Sequence, residues 1–186
     1  MIWDDNDDIC LVQCSAKRRV IQTHLDALRE ERRPYVFITD KMQSITHLER
    51  ILVPVTMLEE EVYKAEIATY LARKTNATIV ILQANDYGSH ARQNVQRIVT
   101  HIQTVAERIG SNIPYEVQQA KKDSFHLHQE VTQTRDLPCQ LLLLTASREY
   151  GLDDWIFGPP EQKVILHSTV PVMLVNPRAD LFSLCD

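Results

Sequence analysis

The chain has 186 residues, 44% of them hydrophobic and 24% charged, with a formal net charge of -5 at pH 7. That length and balance suffice to bury a full core and exclude a disordered chain. The negative net charge excludes a general polyanion binder, so no nucleic-acid partner is expected, and the basic clusters AKRR (16–19) and REERR (29–33) read as solvated helix surface.

No apolar run approaches the roughly 20 residues that span a bilayer, and the acidic start MIWDDNDD is the opposite of a secretory leader. No membrane partner is expected, and the expected location is cytoplasmic. Cys10, Cys14, Cys139 and Cys185 form no CxxC pair. Three of them lie in or beside apolar runs, where a free thiol behaves as a small hydrophobe, so no metal or redox role is expected.

In chain order, ICLVQC (9–14) predicts a strand, Val20, Ile21, Leu25 and Leu28 mark one face of a helix, and PYVFIT (34–39) predicts a second strand. These three elements are too few to close a core and must dock on something. From residue 50 the pattern alternates regularly. RILVPV (50–55), ATIVILQA (77–84), IPYEVQQA (113–120), CQLLLLTA (139–146) and VPVMLV (170–175) predict strands. Residues 59–74 predict a helix with Glu59, Glu60 and Glu61 in its first turn and Arg73 and Lys74 in its last, which suits the helix dipole. Val95, Ile98, Val99, Ile102, Val105, Ala106 and Ile109 mark another helix, stopping at Gly110. Asp123 or Ser124 is a plausible N-cap for a third, ending before Pro138. Strands as continuously apolar as LLLL (141–144) imply cover on both faces. The expectation is an α/β protein, a three-layer α/β/α sandwich with a parallel sheet.

Catalytic signals are absent from the sequence. His126 and His128, two apart, point away from each other on a helix, and the other histidines have no ligand spacing. There is no nucleophile elbow, Walker loop or dinucleotide fingerprint, and Thr56 at a strand end has no base placed for it.

ILVPV at 51–55, the amphipathic helix after it, and the strand, loop, helix and strand ending in HSTVPVMLVNPR resemble the universal stress protein family over residues 50–178. The resemblance implies five parallel strands in the order 3-2-1-4-5, of the adenine-nucleotide α-hydrolase-like type. Residues 9–39 then look like an internal repeat: ICLVQCS lies against LLLLTAS and RRPYVFITD against TVPVMLVNP, with Pro34 matching Pro171. The implied organisation is a strand-helix-strand remnant of a first repeat (1–46), a complete domain (47–178) and a tail (179–186).

In this family the last strand is an edge that pairs antiparallel with its counterpart. The expected joint is therefore Tyr35, Val36, Phe37 and Ile38 against Val172, Met173, Leu174 and Val175. The strand at 9–14 becomes the new edge, completed by a segment lost from the start or by another chain. That edge, or the helix faces beside it, is the candidate surface for a homodimer or other self-association, beside an unknown protein partner.

Some members of the family bind ATP through Gly, two residues, Gly, nine residues, Gly, then Ser or Thr, with an acidic residue after the first strand. Here Thr56 stands at the acidic position, Ala146 at the first glycine, Glu149 at the second, one residue short in spacing, and Pro159 follows Gly158 in place of the hydroxyl. Proline offers no N–H, and Glu149, Asp153, Asp154 and Glu161 bring negative charge to where a triphosphate would lie. The expectation is a non-enzymatic stress-response protein with a degenerate nucleotide loop, no cofactor and no ATP binding, acting through protein contacts. The alternative is a nucleotide or small-anion sensor taking ATP or AMP in the same cleft, with Ser147 and Arg148 as anion contacts and Tyr150, Trp155 and Phe157 at the wall.

Overall fold

The computed structural model describes residues 8–109, 113–132, 139–147 and 159–177. The apolar runs form β1 (Cys10–Cys14), β2 (Tyr35–Thr39), β3 (Arg50–Val55), β4 (Thr78–Gln83), β5 (Tyr115–Gln119), β6 (Leu141–Thr145) and β7 (Val172–Val175). Between them lie α1 (Arg18–Leu28), α2 (Lys64–Thr75), α3 (Ser89–Ile109), α4 (Leu127–Thr132) and α5 (Pro160–His167), with a 3-10 helix at Glu59–Tyr63 before α2.

All the described strands join one sheet in the order β1-β2-β7-β6-β3-β4-β5. Every neighbouring pair is parallel except β2 with β7. The central strands are buried on both faces: Ile51, Leu52, Val53 and Val55 of β3 and Leu141, Leu142 and Leu143 of β6 have almost no exposure. Helices cover them, with α2 packed on α3, and α4 on α5, which also meets α1. Such cover is what lets parallel strands dispense with a polar face.

The antiparallel joint aligns Tyr35 with Leu174, Val36 with Met173 and Phe37 with Val172. Ile38 and Val175 lie outside that register and align instead with Gln13 of β1 and Thr145 of β6. Side-chain contacts lock the first three elements onto the rest. Gln162 of α5, 3% exposed, accepts from Arg18 Nε at 3.2 Å and donates to the Gln22 side chain. Asn176 gives its amide protons to the carbonyls of Arg29 and Glu31 at 2.6 and 2.9 Å, just past the end of α1 where carbonyls lack helical partners.

One helix departs from the reading of 59–74 as a single α-helix. Glu59–Tyr63 is 3-10 and the α-helix starts at Lys64, so only Glu66 is an acidic residue in the first α turn. The physical reason is Glu61, which turns inward and is 5% exposed. Asn76 closes α2 in the left-handed conformation, φ 58°, a position that Asn tolerates better than most residues. The α3 stop expected at Gly110 and the end of α4 before Pro138 lie outside the described residues. Among the described residues no helix is long and apolar enough to cross a membrane.

Candidate functional site

Pro54 opens the sheet. Carbonyls alternate sides along β3: that of Arg50 accepts from Gln140 beside β6, and that of Val55 accepts from Ala84 after β4. Pro54 therefore faces β6, where it has no N–H to give. The β3–β6 register covers only Ile51 with Leu141 and Leu52 with Leu142, against six aligned pairs between β3 and β4. Beyond Leu52 the ladder between the two strands stops, at the point where the sheet's connections diverge to either side. This switch point at the carboxyl ends of strands is the general location of ligand clefts in such folds.

The Pro54 carbonyl, deprived of a ladder partner, accepts a hydrogen bond from Lys64 Nζ. The ammonium is 1% exposed and is paired with Glu61, three residues before it. Glu61 in turn accepts the Thr56 hydroxyl at 2.8 Å on Oε1 and the Thr145 hydroxyl at 3.3 Å on Oε2. The group ties the ends of β3 and β6 together through one buried ion pair.

A second buried carboxylate lines the same cleft. Glu161, in the first turn of α5 and 5% exposed, accepts the Ser147 N–H at 3.0 Å on Oε1 and the Ser147 hydroxyl at 2.9 Å on Oε2. A third, Asp86, takes the Ser124 N–H at 3.0 Å and its hydroxyl, while Ser124 Oγ accepts the Met57 N–H at 2.8 Å. Glu61, Glu161 and Ser124 line a cavity of about 270 Å³, together with Thr56, Lys64, Thr145 and Ser147 and with the aliphatic side chains Leu127, Val131, Leu144 and Val164. His128 also lines it, and burial first, then the Lys163 charge, lowers its pKa. Its imidazole is therefore neutral at pH 7.

A family model described as the universal stress protein family matches residues 47–176. The chain belongs to the universal stress protein family. Solved structures carry the same fold at low identity. A universal stress protein from Archaeoglobus fulgidus matches with a TM-score of 0.64 and 16% identity, over 95% of this chain and 63% of that one. A universal stress protein in complex with cAMP matches at 0.56 and 14%, over 72% of this chain and 100% of that one. A putative universal stress protein from Pseudomonas aeruginosa matches at 0.57 and 14%, over 91% and 63%. The chain thus spans about two thirds of the length of the first of these relatives. No curated protein matches it.

Within this universal stress domain the structure brings together Thr56 and Ser147 of the residues expected at the nucleotide loop, both on the cavity wall. Ala146 is buried behind them, its N–H donating to the Val175 carbonyl at 2.9 Å. Pro159 is the residue before α5, with an extended backbone, and its carbonyl accepts the Gln162 N–H. Glu149 and Gly158, with Arg148, Tyr150, Trp155 and Phe157, lie outside the described residues.

His126 and His128 do different things. His126 precedes α4 and pairs through Nδ1 with Asp123 at 2.7 Å, while His128 faces the cavity. Asp123, one of the two expected caps, accepts the His126 N–H at 3.0 Å; Ser124, the other, is engaged with Asp86 instead. Among the described residues no group of three His, Cys, Asp or Glu is placed to hold a metal ion. Glu61, Lys64 and Asp86 escaped the sequence reading. The available signals were the proline inside RILVPV, whose carbonyl needs a donor from elsewhere, and Lys64 three residues after Glu61.

Proposed function

We propose that this universal stress protein is non-enzymatic, cytoplasmic and free of bound ATP, and that it acts through protein contacts. One observation carries the reading. The backbone N–H and hydroxyl of Ser147, where the family's loop would offer donors to phosphate, are both engaged by the protein's own Glu161 carboxylate. A phosphate entering there must displace that carboxylate, and the ammonium in the cleft, Lys64, is already held by Glu61; like charges 4 Å apart cost about 4 kcal/mol at the effective dielectric of a protein surface. Hydrogen bonds from charged groups return only about 1.5–3 kcal/mol each.

Residues 8–46 are, on this reading, the remnant of a preceding repeat. Support comes from the antiparallel β2–β7 joint and from coverage. The cAMP-complexed relative matches in full with 72% of this chain, while the Archaeoglobus fulgidus protein takes up 95% of it. Self-association then falls to the outer edge of β1, where Leu11 is exposed.

Calorimetric titration with Mg-ATP, AMP and inorganic phosphate tests the nucleotide-free reading. Silence up to millimolar ligand is the expected result. Saturable micromolar binding would replace it with a nucleotide or small-anion sensor, a reading favoured by the cAMP bound in one relative.

A further inference from the structure

The cavity has a donor and acceptor pattern of its own. An ionised carboxylate accepts hydrogen bonds and cannot donate them, so the direction of every hydroxyl contact around it is forced. Thr56 and Thr145 give their protons to Glu61, Ser147 gives its proton to Glu161, and Ser124 to Asp86. The four hydroxyl oxygens that line the cavity consequently offer lone pairs, not protons. Lys64, the ammonium in the wall, is held by Glu61 and the Pro54 carbonyl. The same cavity has aliphatic lining at Leu127, Val131, Leu144 and Val164, and the two large apolar side chains Leu58 and Phe125, which also line it, are 57% and 70% exposed.

We propose that this cavity binds a small organic amine. Its apolar body lies among Leu127, Val131, Leu144 and Val164, its N–H groups donate to the hydroxyl oxygens of Thr145 and Ser147, and Phe125 folds over it. Among the described lining residues the two carboxylates Glu61 and Glu161 stand against the one ammonium of Lys64, which favours a protonated amine over a phosphate, and a cation beside an aromatic face gains further attraction. The proposal rests on the reading that the cleft takes no phosphate, and it names what the cleft takes instead.

The test uses three probes of one shape: 2-phenylethylamine, 2-phenylethanol and phenylacetate, titrated by calorimetry at pH 7 into the full chain. The amine is expected to bind saturably, at least about tenfold tighter than the alcohol, with no binding of the carboxylate, as the charge and donor pattern requires. Thr145→Val, which removes an acceptor and keeps the shape, should weaken the amine about fivefold or more, in line with one lost hydrogen bond. Phe125→Ala, at an exposed position that folding does not need, should weaken it as well and carries the test if the threonine variant fails to fold. Absence of amine binding, equal or tighter binding of phenylacetate, or unchanged amine affinity in the folded variants overturns the proposal. Silence toward both amine and Mg-ATP overturns the amine site alone, whereas Mg-ATP binding overturns the nucleotide-free reading beneath it.

Discussion

Lys64→Met removes the ammonium from the pair that links the ends of β3 and β6 where their ladder stops, at nearly constant volume. The Lys64 and Glu61 side chains are 1% and 7% exposed, so solvent cannot take over either role. Breaking a buried ion pair by removing one partner costs about 3–5 kcal/mol. Here two effects push within that range. Glu61 keeps the Thr56 and Thr145 hydroxyl donors, which eases its burial, while the Pro54 carbonyl loses the Lys64 donor, at about 1–3 kcal/mol. The expected loss is about 4 kcal/mol, or roughly 10 °C in Tm for a chain of this size. Glu61→Gln keeps an acceptor for the hydroxyls but strands the ammonium, at about 3 kcal/mol by the same reasoning. Urea unfolding of both single variants and the double variant gives the coupling directly, and the double should recover at least about 1.5 kcal/mol of the summed losses. Single-variant losses below about 1 kcal/mol, or strict additivity, would refute the claim that this pair holds the cleft in shape.

Two further outcomes are expected. Burial pushes the Cys139 thiol from the ordinary 9.0 up to about 11. The unfolded chain therefore loses that proton first as pH rises, and the stability this thiol contributes is intact below pH 9 and lost between pH 9 and 11, by about 3 kcal/mol at most. A Cys139→Ala variant should show a flatter fall in urea midpoint over that window, and an identical fall would count against the assignment. Separately, removing residues 1–46 uncovers β7, whose four residues are all buried in the intact chain, and leaves an unpaired strand edge. Light scattering should then show dimers or larger species, and a soluble monomer at high concentration would mean that β2 is not needed as edge cover.

Much of the fold was legible because its signals are local. Periodicity places LLLL at 141–144 and VPVMLV at 170–175 in buried strands, while the joint between PYVFIT and TVPVMLV, far apart in the chain, is implied by the family resemblance and not by any local signal. Within the loop, the loss of glycine at Ala146 and of a donor at Pro159 is visible in the residue types alone. What the sequence hides is direction. Glu59, Glu60 and Glu61 look alike along the chain, and only the folded chain shows the third turned inward to Lys64, Thr56 and Thr145. Glu161 reads as a charge near the loop, but its seat on Ser147 depends on where α5 docks. Asp86 and Ser124 are 38 residues apart and have no local pattern linking them.

The antiparallel joint also sets a timetable for synthesis. Tyr35 aligns with Leu174, so β2 leaves the ribosome well before its neighbour β7 exists. At about 5–20 residues per second the wait is on the order of ten to thirty seconds, far longer than a hairpin takes to form. For that interval the β7-facing edge of β2, with Tyr35, Val36 and Phe37 all sealed in the finished sheet, is without the strand that covers it. β2 is thus made long before the strand that seals it, and the burial of Tyr35, Val36 and Phe37 against β7 waits on synthesis of residues 172–175.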